Sequence, residues 1–218
     1  KIKERVFAED ANSGLVVNVN TGTRYIVLMG GSVINQSTEG NVQNEFNTAG
    51  TLKNLFIYVS ANTRTTATTF GTRVGGVDGN LLISVAGSGT GIFEDTVNTD
   101  TIAANNLVNF FDTTGAGTQT LTLRIISAEF ETTNSKFQMA LGDNTGGMNQ
   151  GQTRYFSFSD SDVAVSAETA ADCDMNIACT ASNLIVYVSA NTLNNGATIT
   201  DRKNSAAGGQ SISVGASQ

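Results

Sequence analysis

The sequence predicts an all-β protein built from two tandem β-sandwich domains, the second incomplete. Three observations carry that expectation. Thr, Asn, Ser, Gly and Ala dominate the composition, and only 14% of residues are charged. The apolar residues fall in short Val/Ile/Leu/Phe runs rather than in long helical periods, as strands require. Clusters of turn formers such as Gly75-Gly76-Val77-Asp78-Gly79, Ala86-Gly87-Ser88-Gly89 and Thr114-Gly115-Ala116-Gly117 separate the runs.

An internal repeat adds the division into two domains. Asn54-Leu55-Phe56-Ile57-Tyr58-Val59-Ser60-Ala61-Asn62-Thr63 returns as Asn183-Leu184-Ile185-Val186-Tyr187-Val188-Ser189-Ala190-Asn191-Thr192, with about eight of ten positions identical. The same offset of about 129 carries Phe70 onto Ile199, Arg73 onto Arg202, and Ile83-Ser84-Val85 onto Ile212-Ser213-Val214. With one residue of slippage, Thr23-Arg24-Tyr25-Ile26 matches Thr153-Arg154-Tyr155-Phe156, and Phe7 falls on Phe137. A period this long exceeds the roughly 20–50 residues of stacked solenoid repeats, so each copy is expected to be a domain with its own core. Copy one spans residues 1–131 and copy two 132–218.

Within copy one the expected strands are 15–19, 24–29, 42–46, 52–60, 66–73, 81–85, 91–95, 107–111 and 118–130. Eight or nine short strands with tight turns read as a sandwich or jelly roll. Residues 52–59 are apolar on both alternating faces, which predicts a central strand covered on both sides. Thr118 to Ile125 alternates polar with apolar, the pattern of a half-exposed strand.

The order of these pieces resembles a known kind of module. The Asn-Leu-x-x-Tyr-Val-Ser-Ala-Asn-Thr strand is followed by a Thr-rich strand with Arg73 and by Ile83-Ser84-Val85. Thr90-Gly91-Ile92-Phe93-Glu94-Asp95-Thr96, an Ala103-to-Val108 step and a closing Leu121-Thr122-Leu123-Arg124-Ile125-Ile126 strand complete the series. It is similar to a module common in phage structural proteins and in uncharacterised proteins. More distantly it resembles the jelly-roll heads of collagen-like exosporium proteins and of the C1q/TNF class. Those heads trimerise at chain ends, and tandem copies depart from that habit. The resemblance implies a sandwich fold and a structural role.

Charge and composition exclude several functions. The net charge is −7 and the 12 Lys and Arg are scattered singly, so no basic stripe exists to neutralise phosphates, and nucleic acid is not an expected partner. No run of about 18 apolar residues could span a membrane as a helix. The chain has no histidine, which removes the commonest general base and transition-metal ligand together. Gly87-Ser88-Gly89-Thr90-Gly91 lacks the Lys-Ser/Thr of a phosphate loop and leads into Ile92-Phe93, so a hairpin turn is expected there. The acidic pairs Glu94-Asp95, Asp160 with Asp162, and Asp172 with Asp174, and the loop Asp143-Asn144-Thr145, could hold calcium. They lack a calcium-loop spacing and read better as solvated faces. Asn35-Gln36-Ser37 is a lone glycosylation triplet. Tyr25, Tyr58, Tyr155 and Tyr187 could form a carbohydrate platform, but their apolar neighbours favour packing between sheets. No catalytic residue, metal or cofactor is assigned.

The expected function is therefore that of a non-enzymatic structural protein of a phage-like virion or an extracellular fibre. It would lie outside the cell or on the virion surface and associate with itself or with other structural subunits. An adhesin or carbohydrate-binding module, with a glycan as partner, is the alternative, and a hydrolase on the same scaffold is third. Copy two has no counterpart of residues 90–131 within the sequence, so it is expected to be completed by continuation of the chain or by strands from a neighbouring subunit. The only two cysteines, Cys173 and Cys179, flank a segment aligned with 44–50, and they are expected to form a disulfide. Fully extended, that segment would separate the two Cα atoms by roughly 20 Å, so the chain must turn between them; two buried free thiols are the alternative in a reducing compartment. Non-reducing mass spectrometry of fresh protein should find a mass two hydrogens below that of the reduced chain, and two alkylatable thiols would refute the bridge.

Overall fold

The computed structural model describes residues 2–9, 15–17, 22–29, 36–117, 119–132, 149–156, 165–171, 180–186, 188 and 190–216. The chain divides into two compact units. Unit 1 is Lys1–Asn144 with Ser159–Asp162, and unit 2 is Thr145–Phe158 with Val163–Gln218.

Unit 1 is an antiparallel β-sandwich. Its strands are β1 Ile2–Glu9, β2 Leu15–Val17, β3 Gly22–Ile26, β4 Asn44–Phe46, β5 Gly50–Asn62, β6 Thr68–Val74, β7 Val77–Val85, β8 Gly91–Ile102, β9 Asn106–Thr114 and β10 Leu121–Thr132. One sheet runs β1-β10-β5-β8 with β2 also on β10, and the other runs β3-β9-β6-β7 with β4 also on β9. Consecutive strands from β7 onward alternate between the sheets, so each connection seals one end of the sandwich. Every expected strand has a counterpart, although the ends differ; β1 was not anticipated. Its Ile-Lys-Glu-Arg-Val composition is that of a charged edge, and β1 does occupy an edge of its sheet.

The core lies between the sheets. Leu55, Ile57 and Val59 of β5, Phe70 of β6, Leu81, Ile83 and Val85 of β7, and Val108 and Phe110 of β9 are all buried there. Phe46 and Phe130 meet edge to face with centroids 4.7 Å apart. Their packing leaves no room at Gly50, where a Cβ would lie 2.6 Å from the Phe130 ring. Burying each such apolar side chain stabilises by about 1.5–3 kcal/mol.

The apolar pattern of β5 has a different cause from the one expected. The strand is central in its sheet, between β10 and β8, but only one face is buried. Asn54 adopts a left-handed φ of 53°, and the pairing with β8 shifts register between Lys53 and Leu55. The extra residue flips the phase, so Leu52 points inward before the bulge and Leu55, Ile57 and Val59 after it. β10 behaves likewise. Leu121 and Leu123 alternate inward as expected, then register shifts around Leu123 and Ile125 bring Ile126, Ala128 and Phe130 into the core.

Turns account for the punctuation. Gly75 and Gly76 form the two-residue loop of the β6–β7 hairpin with φ of 61° and 80°, a conformation glycine adopts without cost. Residues 87–91 are not a hairpin turn. They form an arch that carries the chain from β7 in one sheet to β8 in the other, pinned by Asn62, whose side-chain amide donates to the carbonyls of Ala86 (3.2 Å) and Gly89 (3.0 Å).

In unit 2 the described strands are β11 Ala197–Lys203 and β12 Ala206–Val214, paired with each other. Several local features of unit 1 stand again 129 positions on. Asn183 has φ 59°, and the loop residues Asn204 and Ser205 have φ of 51° and 61°. Asn191 donates to the Gly215 carbonyl at 2.6 Å, as Asn62 does to that of Ala86. Burial differs: Ile199, Ile212 and Val214 are half-buried where Phe70, Ile83 and Val85 are fully buried.

Asn54 supplies both the left-handed bulge and a hydrogen bond to Glu129 Oε2 at 2.8 Å. Asn54→Gly should lose the bond and keep the conformation. Asn54→Val adds strain of about 1–2 kcal/mol, so it should unfold in urea at a clearly lower midpoint than the glycine variant. Equal midpoints would mean that the backbone conformation is not what residue 54 provides.

Candidate functional site

Three polar clusters organise unit 1. The first is a clasp on the face of the β3-β9-β6-β7 sheet away from the core. Arg73 on β6 places its guanidinium over the Tyr25 ring of β3, 5.5 Å from the centroid. Its Nε donates to Glu39 Oε1 at 2.6 Å, and its two terminal nitrogens donate to Asp78 and to the Gly76 carbonyl. Glu39 lies in the short 3₁₀ turn Glu39–Asn41. One guanidinium therefore ties together a strand, a connection and a hairpin loop. The half-buried pair is shielded from salt better than an exposed one would be. Unit 2 repeats the arrangement: Arg202 lies 5.8 Å from the Tyr155 centroid, donates to both carboxylate oxygens of Glu168 at 2.6 and 3.0 Å, and reaches the Ser205 carbonyl. The tyrosine and arginine positions were legible in the repeat. Glu39 and Glu168 were not singled out, although the same offset relates them.

The second cluster closes a sandwich edge. β7 ends one sheet and β8 the other, so β7 has outward N–H groups with no strand to take them. Asp95 of β8 accepts the Leu82 N–H at 3.1 Å, and Asp100 accepts the Asn80 N–H at 2.5 Å and the Thr72 hydroxyl. Burial raises the pKa of Asp95, but bonds from the Asn98 side chain and from the Asn98, Leu82 and Val97 N–H groups outweigh it, and the net shift is downward. The Glu94-Asp95 pair is thus split: Glu94 is exposed, while Asp95 spends its lone pairs on N–H donors and has none left for a cation.

The third cluster is buried. Arg64 is fully enclosed and donates to the carbonyls of Gln119 (2.9 Å) and Gly115 (2.6 Å). Asp112 on β9 is also fully enclosed, and neither carboxylate oxygen has a hydrogen-bond partner among the described residues. Its ladder neighbours are Arg24 on β3 and Phe70 on β6. Burial pushes its pKa up to about 7 against the pull of Arg24 and Arg64. Nothing in the sequence distinguished this aspartate from a surface one.

The remaining candidates divide plainly. Tyr25 and Tyr155 are half-buried and Tyr58 is 39% exposed, so none of the three packs between sheets as expected. Tyr187, Asn35, Asp143, Asp160, Asp162, Asp172, Asp174 and both cysteines, Cys173 and Cys179, lie outside the described residues. Among the described residues no group of three or more Cys, Asp or Glu could hold a metal ion, and no helix is long and apolar enough to cross a membrane.

Sequence comparison finds no matching family model and no matching curated protein. Among solved structures, the chain is similar to the crystal structure of the CBM36-1 domain of a multidomain xylanase from the hindgut metagenome of Trinervitermes trinervoides. Identity is 10% and the TM-score 0.35, with 60% of this chain and 97% of that one covered. A likeness of that size carries no argument about ligand or activity. The strand order itself defines the class, an antiparallel β-sandwich module.

The buried Asp112 makes a pH prediction with a definite sign. Its folded pKa is raised above the ordinary 3.8 to about 7, so the folded state holds a proton that the unfolded state has released. Stability from this group is fully present below pH 4 and is lost as pH rises to 7, by about 3–5 kcal/mol. Wild type should therefore unfold in urea at a lower midpoint at pH 8 than at pH 5. Asp112→Asn should flatten that difference. A wild type equally stable at both pH values would show Asp112 ionised and paired.

Proposed function

We propose that the chain is a non-enzymatic structural module of a virion or extracellular fibre, made of two tandem copies, 1–131 and 132–218, of one sandwich unit. The observation that supports this best is how the polar side chains are used. Arg73, Arg202, Asp95, Asp100 and Arg64 are each spent on strand connections or backbone groups, and the arginine clasp recurs in both units. Such a distribution suits shape-holding more than chemistry. On this reading the copies associate with themselves or other structural subunits outside the cell, where Cys173 and Cys179 would be bridged.

One observation favours the carbohydrate-binding alternative. Tyr58 and its cross-strand partner Ile92, 62% exposed, form an apolar spot on the outer face of the β1-β10-β5-β8 sheet. Electron microscopy of the concentrated protein separates the two: regular filaments or particles are expected. Dispersed monomers that bind immobilised glycans saturably, and lose that binding in Tyr58→Ala, would replace the structural reading with the alternative.

A further inference from the structure

We infer that Asn195-Gly196, at the entry to β11, is a site of spontaneous covalent modification, where the folded chain loses the Asn195 amide through a succinimide and gains isoaspartate or aspartate in its place. This chemistry goes beyond the structural reading and does not depend on it.

The pair is the only Asn-Gly in the chain. Asn-Gly commonly serves as the two-residue loop of a hairpin, whose fixed backbone would hold it in place. Here the β11–β12 loop is Asn204-Ser205 instead. Asn195 sits in the bend that precedes Ala197, and Asn194, Asn195 and Gly196 are all exposed. Other asparagines differ in two ways. Asn54 is held on Glu129, Asn62 on the Ala86 and Gly89 carbonyls, Asn80 on that of Thr99, Asn98 on Asp95, and Asn191 on the Gly215 carbonyl. Each of these five is also followed by leucine or threonine rather than glycine.

The reaction needs only base and water. The Gly196 backbone nitrogen, having lost its proton to base, attacks Asn195 Cγ. The N–Cγ bond forms as the Cγ–Nδ2 bond breaks, and the amide nitrogen leaves as ammonia. Water then opens the five-membered imide. Cleavage between Cγ and the nitrogen gives aspartate. Cleavage at the main-chain carbonyl gives isoaspartate, in which the chain runs through Cγ and is one methylene longer. Glycine favours ring closure, because it has no Cβ to crowd the attacking nitrogen and leaves the backbone free to turn.

Packing keeps glycine at this position. A Cβ at 196 would lie 2.5 Å from the Val214 carbonyl oxygen. Unit 1 has the same bend before β6, at Thr65-Thr66, but Thr66 and Ala67 stand in the places of Asn195 and Gly196. The modification is therefore confined to unit 2. There it inserts a methylene two residues before the first β11–β12 rung, Ala197 with Val214, and adds a negative charge to a chain that already carries −7.

The test ages the whole 218-residue chain at mildly alkaline pH, follows each asparagine by peptide mass, and labels isoaspartate with an isoaspartyl methyltransferase. Residue 195 should convert at least about tenfold faster than any other asparagine of the folded chain, with the methyl label in the same peptide. Asn195→Thr, which installs the unit 1 residue in the same bend, should abolish that label. Amide exchange across Ala197–Thr200 should quicken in the aged protein, while that of β6 stays unchanged. Conversion at 195 no faster than elsewhere, conversion that occurs only in urea, or a label undiminished in Asn195→Thr would overturn the site. Unchanged β11 exchange in fully converted protein would overturn its effect on the strand.

Discussion

The sandwich of unit 1 depends on β9. In the ladder of the described residues that strand joins β3 and β4 on one edge to β6 and β7 on the other. It carries Val108 and Phe110 into the core and Phe111 to the other face, where the ring packs so close to Gly71 that no Cβ would fit there. A long-range strand of this kind is costly to place, since its neighbours are distant in sequence and loop closure precedes the gain from pairing. The Arg73 clasp limits that cost by fixing Tyr25 relative to β6 on either side of β9. The buried Asp112 adds to the cost, because its carboxyl group is enclosed without a hydrogen-bond partner among the described residues.

Edges are the second constraint. β7 and β8 end different sheets on the same side, and a sandwich left open there would expose unpaired N–H groups to other chains. Asp95 and Asp100 satisfy two alternate N–H groups of β7, at Leu82 and Asn80, which is the spacing of outward amides along an antiparallel strand. Carboxylates do this better than neutral acceptors, and the charge they bring repels a second edge. The acidic residues of β8 thus act as a seal.

Much of this was legible in the sequence, and the rest was hidden for identifiable reasons. Strand positions were visible because turn formers bound them, as Gly75-Gly76 does. The faces of β5 were misread because period-two logic cannot see a bulge; Asn54, the first residue of the repeated motif, was the available signal for left-handed backbone. The arch at 87–91 looked like a hairpin because a tight turn reverses the chain either within a sheet or between sheets, and only Asn62 at the other end of β5 decides which. The tyrosines were placed inside because their neighbours are apolar, but a guanidinium over the ring gives Tyr25 a reason to stay at the surface. Asp112 and Asp100 could not be ranked by sequence, since burial of an acidic residue is a property of the finished packing.

The differences between the two units follow the same physics. Where Leu81 is buried in unit 1, unit 2 has Gln210, whose side-chain carbonyl accepts the Leu184 N–H at 2.7 Å. Where Thr72 is buried, unit 2 has Asp201. Closing a dry sheet over both would bury an amide and a carboxylate, at several kcal/mol unless every lone pair were met. With Gln210 and Asp201 half-buried and bonded to Leu184 and Gln210 N–H groups, that cost is small. The inward face of β11 and β12 is therefore built for partial cover.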